Sequence, residues 1–306
     1  MSAPNKHLIL SKVDVEVLRL AYDYDGLSSD LFLKAMFPKP SARSYGYTRI
    51  SRLAQSGLLN RTRLPSLTGI GSGQSFFTLG REGRKVMASL WDIPRTDLIR
   101  KETPISILFV AHHLFICTIR LNITQATQPP NSGAEIIEWR TERQLRAQAI
   151  KGNRQRHANH ILIPDAYFTL AAPSGQHASF CLEADMGTLS RRRWAEKLSL
   201  YNKSEHRAIL VVVPNEKRDR ELVELTLEVA KKSHIDTTRF WYANIQHLSA
   251  SHILSQPVWT VAGVGPTTLL PHVSTNSSLS FSSTLKTAPP TQDHIRLPGP
   301  MENNKP

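Results

Sequence analysis

Cysteine is scarce: the 306 residues hold two, Cys117 and Cys181, each with apolar neighbours. This excludes a disulfide framework and a cysteine-built metal site, and both thiols read as small buried residues of a reducing cytoplasm. Acidic residues are also in deficit. Asp and Glu total 25 against 38 Lys and Arg, a formal charge of +13 and a pI near 10.0. Such an excess suits a polyanionic partner, because each cation that meets a phosphate releases condensed counterions. Charge alone does not separate nucleic acid from an anionic membrane surface. Long apolar runs are missing as well. The most apolar stretch, residues 105–119, is shorter than the ~20 residues that span a bilayer and is interrupted by His112 and His113. The amino terminus, MSAPNKHLIL, lacks the apolar region of a signal peptide. The expectation is a basic cytoplasmic protein, no membrane segment, with length enough for two cores.

Residues 1–91 carry the pattern of a winged helix-turn-helix. Ser11 caps a helix on which Val13, Val17, Leu18 and Ala21 recur at helical spacing. A turn at Asp25-Gly26 leads to a second helix over 31–37, capped by Ser28 or Ser29 and stopped by Pro38 and Pro40. A third helix, 41–55, turns Ile50, Leu53 and Ala54 inward and ends at Gly57. A polar stretch to residue 74, a strand over 75–79 and a helix over 81–90 follow. The third helix directs Arg43, Ser44, Tyr45, Tyr47, Thr48, Arg49 and Arg52 outward. Cations with hydroxyls and aromatics on one helix suit the major groove of double-stranded DNA, and Arg61 and Arg63 on the hairpin suit its backbone or minor groove.

A linker, 92–104, leads to a second unit over 105–248. Its predicted elements are a buried helix over 105–119, a strand over 134–139 and a charged helix containing Glu142, Arg143, Gln144 and Arg146. A basic loop over 151–160 precedes strands over 161–170 and 178–185, joined by a turn at Pro173-Ser174-Gly175. A helix over 189–202, a strand over 208–213, a helix over 217–232 and a last strand over 239–243 complete it. That order implies a mixed α/β sheet covered on both faces, α+β overall once the first unit is included. From residue 249 Ser, Thr and Pro dominate, and a disordered tail over 249–306 is expected.

The second unit sets out acids in a pattern. Asp165 follows Pro164, and Glu183 and Asp185, two apart, project from one face of a strand. A hairpin between the two strands brings Asp165 to Glu183. Such carboxylates are the ligands a hard cation such as Mg²⁺ takes, and Mg²⁺ activates water and stabilises charge in phosphodiester hydrolysis. Lys197 is the candidate catalytic cation, with Arg191, Arg192 and Arg193 as phosphate contacts. The bland alternative pairs Asp165 and Glu183 with Arg191 or Arg193 in structural ion pairs. The basic stretch Arg140, Arg143, Arg146, Lys151, Arg154 and Arg156 is either a solvated face or a track for a DNA backbone.

The order Pro164-Asp165, hairpin, Glu183-Ala184-Asp185, helix, strand resembles the PD-(D/E)xK nuclease, or restriction-endonuclease-like, fold. It departs in holding Asp185 where that family has Lys; Lys197 on the next helix is the substitute candidate. More of the chain, residues 10–245, resembles the replication-relaxation family of plasmids and integrative elements. The matching features are His112-His113-Leu114 with Arg120, Ile137-Glu138-Trp139, Ile163-Pro164-Asp165-Ala166, Glu183-Ala184-Asp185-Met186-Gly187-Thr188, Lys197 and Tyr201, and residues 211–214. The resemblance implies DNA binding in plasmid or mobile-element replication, relaxation or mobilisation. A relaxase or replication initiator is then a candidate protein partner, and a homodimer a candidate assembly. The alternatives are a Mg²⁺-dependent nickase or endonuclease with Asp165, Glu183 and Asp185 as metal ligands and Lys197 beside them, and a transcriptional repressor.

Overall fold

Ser11 opens the first helix by a reciprocal cap. Its hydroxyl accepts from the Asp14 N–H, and the Asp14 carboxylate accepts from the Ser11 N–H at 2.8 Å. In the computed structural model, which describes residues 9–64, 73–91, 107–128, 133–152, 162–206, 208–249 and 252–270, helix α1 (Lys12–Asp23) buries Val17, Leu18 and Ala21. Asp25 and Gly26 reverse the chain at φ 55° and 113°. A Cβ on Gly26 would stand 2.7 Å from Phe76, so the turn needs glycine on both counts. Strand β1 (Leu27–Ser28) runs into α2 (Ser29–Met36), capped by Ser28. After a 3₁₀ turn at Pro40–Ala42 comes α3 (Arg43–Gln55). Gly46 faces α2 on α3, where a Cβ would lie 2.6 Å from Leu33 and Phe37. Strands β2 (Leu59–Arg63) and β3 (Ser75–Leu79) pair antiparallel, with β1 on the far side of β3, and α4 (Arg81–Trp91) follows.

Helix α5 (Ile107–Thr127) is longer than the predicted 105–119 and serves two cores. Cys117 and Leu121 join the core of the first unit, beside Tyr24, Leu27 and Phe77. Ile119, Ile123 and Ala126 enter a second core under the large sheet, beside Phe168, Phe180 and Trp259. A helix apolar over most of its circumference is one buried on more than one side.

The large sheet has seven strands in the order β10-β9-β8-β7-β6-β5-β4. Strand β4 (Glu135–Thr141) carries a bulge between Ile136 and Glu138, and α6 (Glu142–Gly152) follows it. Strands β5 (Ala166–Ala171) and β6 (His177–Ala184) form the predicted hairpin, with Ala166 opposite Leu182. Strand β5 starts later than the expected 161, beyond Pro164, which has no N–H to give a ladder. Helix α7 (Arg191–Asn202), β7 (Ile209–Val213), α8 (Glu216–Ser233) and β8 (Phe240–Asn244) add two parallel pairings, β6 to β7 and β7 to β8. Helices α7 and α8 bury Trp194, Leu198, Tyr201, Leu222 and Leu225 against one face, opposite α5. The chain is thus α+β.

The expected last strand is not the last. Strands β9 (Trp259–Val261) and β10 (Gly265–Thr267) extend the sheet within the stretch assigned to the tail. Ile253, Leu254, Trp259, Val261 and Leu269 are buried there, enough apolar surface to order a segment that the Ser/Thr/Pro composition around it disguises. Residues 271–306 of the expected tail lie outside the described residues, as do 92–104 of the expected linker and 153–160 of the expected loop.

Candidate functional site

The β5–β6 hairpin and helix α7 bring three of the four predicted catalytic residues together, Asp165, Glu183 and Lys197. Asp165, just before β5, accepts from the Ala184 N–H through Oδ2 at 2.8 Å. His112, from α5, points Nε2 at the same region, 3.4 Å from Asp165 Oδ2 and 3.1 Å from the Ala184 carbonyl oxygen. A proton on Nε2 serves both acceptors. The hydrogen bond to Asp165 raises the His112 pKa above its ordinary 6.5 despite burial. Burial alone would raise Asp165; the His112 bond and charge, with Lys197, outweigh it and hold the carboxyl below its ordinary 3.8.

Glu183 sits on the face of β6 that α7 covers and is 2% exposed. Ser190 caps α7. Lys197 and Tyr201, four apart and hence on one side of the helix, both donate to the Glu183 carboxylate, one to each oxygen. Burial pushes the Glu183 carboxyl up to about 7; the Lys197 charge opposes that shift. Burial works against the Lys197 charge too, but Glu183 and Asp165 raise its pKa above the ordinary lysine value.

Asp185 goes elsewhere. Strand β6 ends at Ala184, and Asp185 accepts from Arg218 Nε of α8 at 2.6 Å and from the Gly187 N–H at 2.9 Å. Arg218 also donates to the Leu189 carbonyl oxygen at 2.8 Å.

A cation held by Asp165, Glu183 and Asp185 together does not fit this arrangement. Each carboxylate already has its own cationic partner: His112, Lys197 and Arg218. Among the described residues, no group of three His, Cys, Asp or Glu side chains could hold a metal ion.

The predicted DNA-reading face lies on the first unit. Arg43, Ser44, Tyr45, Tyr47, Thr48 and Arg52 are exposed on α3. Arg49 is not outward as expected. It donates to the buried Asp14 carboxylate, from Nε at 2.9 Å, and to Ser11 Oγ at 2.8 Å, so it ties α3 to the cap of α1. A buried acid next to a long cation decides that orientation over helical phase. Arg61 and Arg63 are exposed on β2; Arg61 Nε donates to Ser75 Oγ at 2.9 Å and its guanidinium lies over the Phe77 ring. Of the other basic stretch, the three described arginine side chains are paired: Arg140 with Glu138, Arg143 with Asp25 and Arg146 with Glu142. Arg154 and Arg156 lie outside the described residues. Arg191 and Arg192 pair with Glu228 and Glu196, leaving neither to Asp165 or Glu183.

A family model described as replication-relaxation matches residues 18–208. The chain belongs to the replication-relaxation family. No curated protein and no solved structure matches it. Membership points to a role in plasmid or mobile-element replication or relaxation. The replication-relaxation match takes in α3, α5, the hairpin with its acids, and α7. It stops before α8, so Arg218 lies beyond it.

Three contributors to the polar site of this replication-relaxation protein lie outside the acid-and-lysine set that the sequence assigns to it. Sequence spacing marked His112 only as one of a pair on an apolar helix, and its site partner is 53 positions on. Tyr201 was legible as four from Lys197. Arg218 gave no signal, since only the parallel crossover through β7 brings α8 to Asp185.

Proposed function

We propose that the protein is a double-stranded DNA-binding factor in plasmid or mobile-element replication or relaxation, and that residues 9–91 are its winged helix. The order helix, short strand, helix, helix, two-stranded hairpin, helix supports this reading. The observation that carries it is the exposed face of α3, where Arg43, Tyr45, Tyr47 and Arg52 stand with Ser44 and Thr48, beside the exposed Arg61 and Arg63 of β2. Arginine on such a helix reads guanine, hydroxyls hold phosphates, and wing cations meet the backbone. The +13 charge supplies the sequence-independent attraction. In this reading the sheet unit binds and positions but does not cut, because its carboxylates are neutralised internally.

One observation favours a second reading, a Mg²⁺-dependent nickase: Asp165, Glu183 and Lys197 meet at one end of the hairpin. A cation there would have to displace Lys197 from Glu183. Supercoiled plasmid carrying the element's own origin, incubated with full-length protein and Mg²⁺ or Mn²⁺, separates the two. Gel shift without nicking, retained in Asp165→Ala and Glu183→Ala, supports the binding factor. Nicking lost in both variants establishes the nickase instead. A repressor would show its gel shift on its own promoter and not on the origin.

A further inference from the structure

We propose that Asp30 is a specificity-determining residue of the DNA face, locking the reading helix to the wing and repelling phosphate wherever the fit is wrong. This rests on the winged-helix reading above.

Asp30 is exposed in the first turn of α2. Its two oxygens serve two different elements. Oδ1 accepts from the Tyr47 hydroxyl of α3 at 3.2 Å, and Oδ2 accepts from Gln74 Nε2 at the start of β3. Gln74 in turn extends the ladder at the loop end of the hairpin, its carbonyl oxygen accepting from the Leu64 N–H at 2.9 Å. Asp30 therefore bridges the recognition helix and the wing, in addition to the direct packing of α3 on β2. One cation of the α3 face stands beside this tie, since the Arg43 charge acts on the Tyr47 phenol.

An acid near the N-terminus of a helix has an ordinary use, since the positive end of the helix dipole stabilises it. That use requires no partner on α3 or on the hairpin, and Asp30 has both. A carboxylate beside a cation that meets DNA has two consequences. It opposes any phosphate brought close, which weakens binding that depends on charge alone. It also accepts from a base-edge donor such as the cytosine amino group, so a correct sequence recovers what a wrong one loses. Pre-setting the helix–wing separation adds to the same discrimination, because less ordering remains for the bound state.

The test uses the full chain, a 24-base-pair duplex selected by the wild type from a random pool, and a random-sequence duplex, with anisotropy titrations over a range of salt. Asp30→Asn is expected to bind the random duplex about tenfold more tightly, with a salt slope steeper by about one. Its preference for the selected duplex falls by about the same tenfold factor. Tyr47→Phe and Gln74→Ala keep the charge and release one tie each; both are expected to weaken the selected duplex without tightening the random one. They also guard against an Asp30 variant that melts early. Unchanged selectivity in all three variants overturns the role of Asp30. A wild-type protein that binds neither duplex overturns the DNA reading itself.

Discussion

Arg218 donates from Nε to Asp185 Oδ2 at 2.6 Å, so Asp185 keeps a cation of α8 while Glu183, two residues earlier in the chain, keeps Lys197 of α7. The pair is enclosed, with side chains 14% and 4% exposed. Breaking it strands a carboxylate, so Arg218→Met should cost about 3 kcal/mol. A melting midpoint lower by roughly 10 °C follows for a chain of this size. A midpoint within a degree of wild type would mean that the pair does not form. DNA binding by the folded variant should be unchanged.

Glu183 makes stability depend on pH. Its carboxyl titrates near about 7 when folded, against an ordinary 4.5. Between those values the folded protein keeps a proton that the unfolded chain has released, so this contribution to stability falls as pH rises. His112 acts in the same sense higher up, because the stability gained by its protonated ring is present below 6.5 and is lost as pH climbs through its raised folded value. Asp165 runs the other way, its contribution being present above 3.8 and lost only as acid protonates it below that. Urea unfolding should therefore give a free energy that declines as pH rises from about 5, through about 7 for Glu183 and through the raised His112 value. Glu183→Gln should flatten the lower half of that decline; an identical slope would assign the titration to another group.

Cys117 and Leu121 lie on α5 but complete the core of the first unit. Arg120, between them and also on α5, donates to the Asp23 carbonyl oxygen and stacks between Tyr24 and Trp139, at 4.3 and 5.1 Å from the ring centroids. A fragment ending at residue 91 should then be far less cooperative in thermal melting than one ending at residue 128. Within the full chain, Leu121→Ala should cost about 3 kcal/mol. Equal melting of the two fragments would show that the first unit does not need α5.

Arg49 and Arg52, three apart on α3, should behave differently. Arg49→Ala leaves Asp14 without its cation and should cost about 2 kcal/mol of stability. Arg52→Ala should leave the melting midpoint in place and make the salt dependence of DNA binding shallower by about one unit. Melting curves beside salt titrations check both, and a reversal of the two phenotypes would place the reader at Arg49.

Local signals decided much of this protein before any packing was considered. Ser11 with Asp14 starts α1, Gly26 makes the turn, and alternation with Pro173-Ser174-Gly175 makes the β5–β6 hairpin that joins Asp165 to Glu183. Each depends on residues near in sequence, where capping, backbone freedom and side-chain period act directly. Membership of the replication-relaxation family was likewise legible in short motifs. Tertiary structure alone decided which cation each acid keeps, because Lys197, His112 and Arg218 arrive from three helices and the buried carboxylates take the charge that reaches them. It also decided that Arg49 turns inward to Asp14, and that β9 and β10 belong to the sheet. Only a finished core offers Trp259 and Val261 enough apolar surface to outweigh the entropy of ordering a segment that resembles a tail.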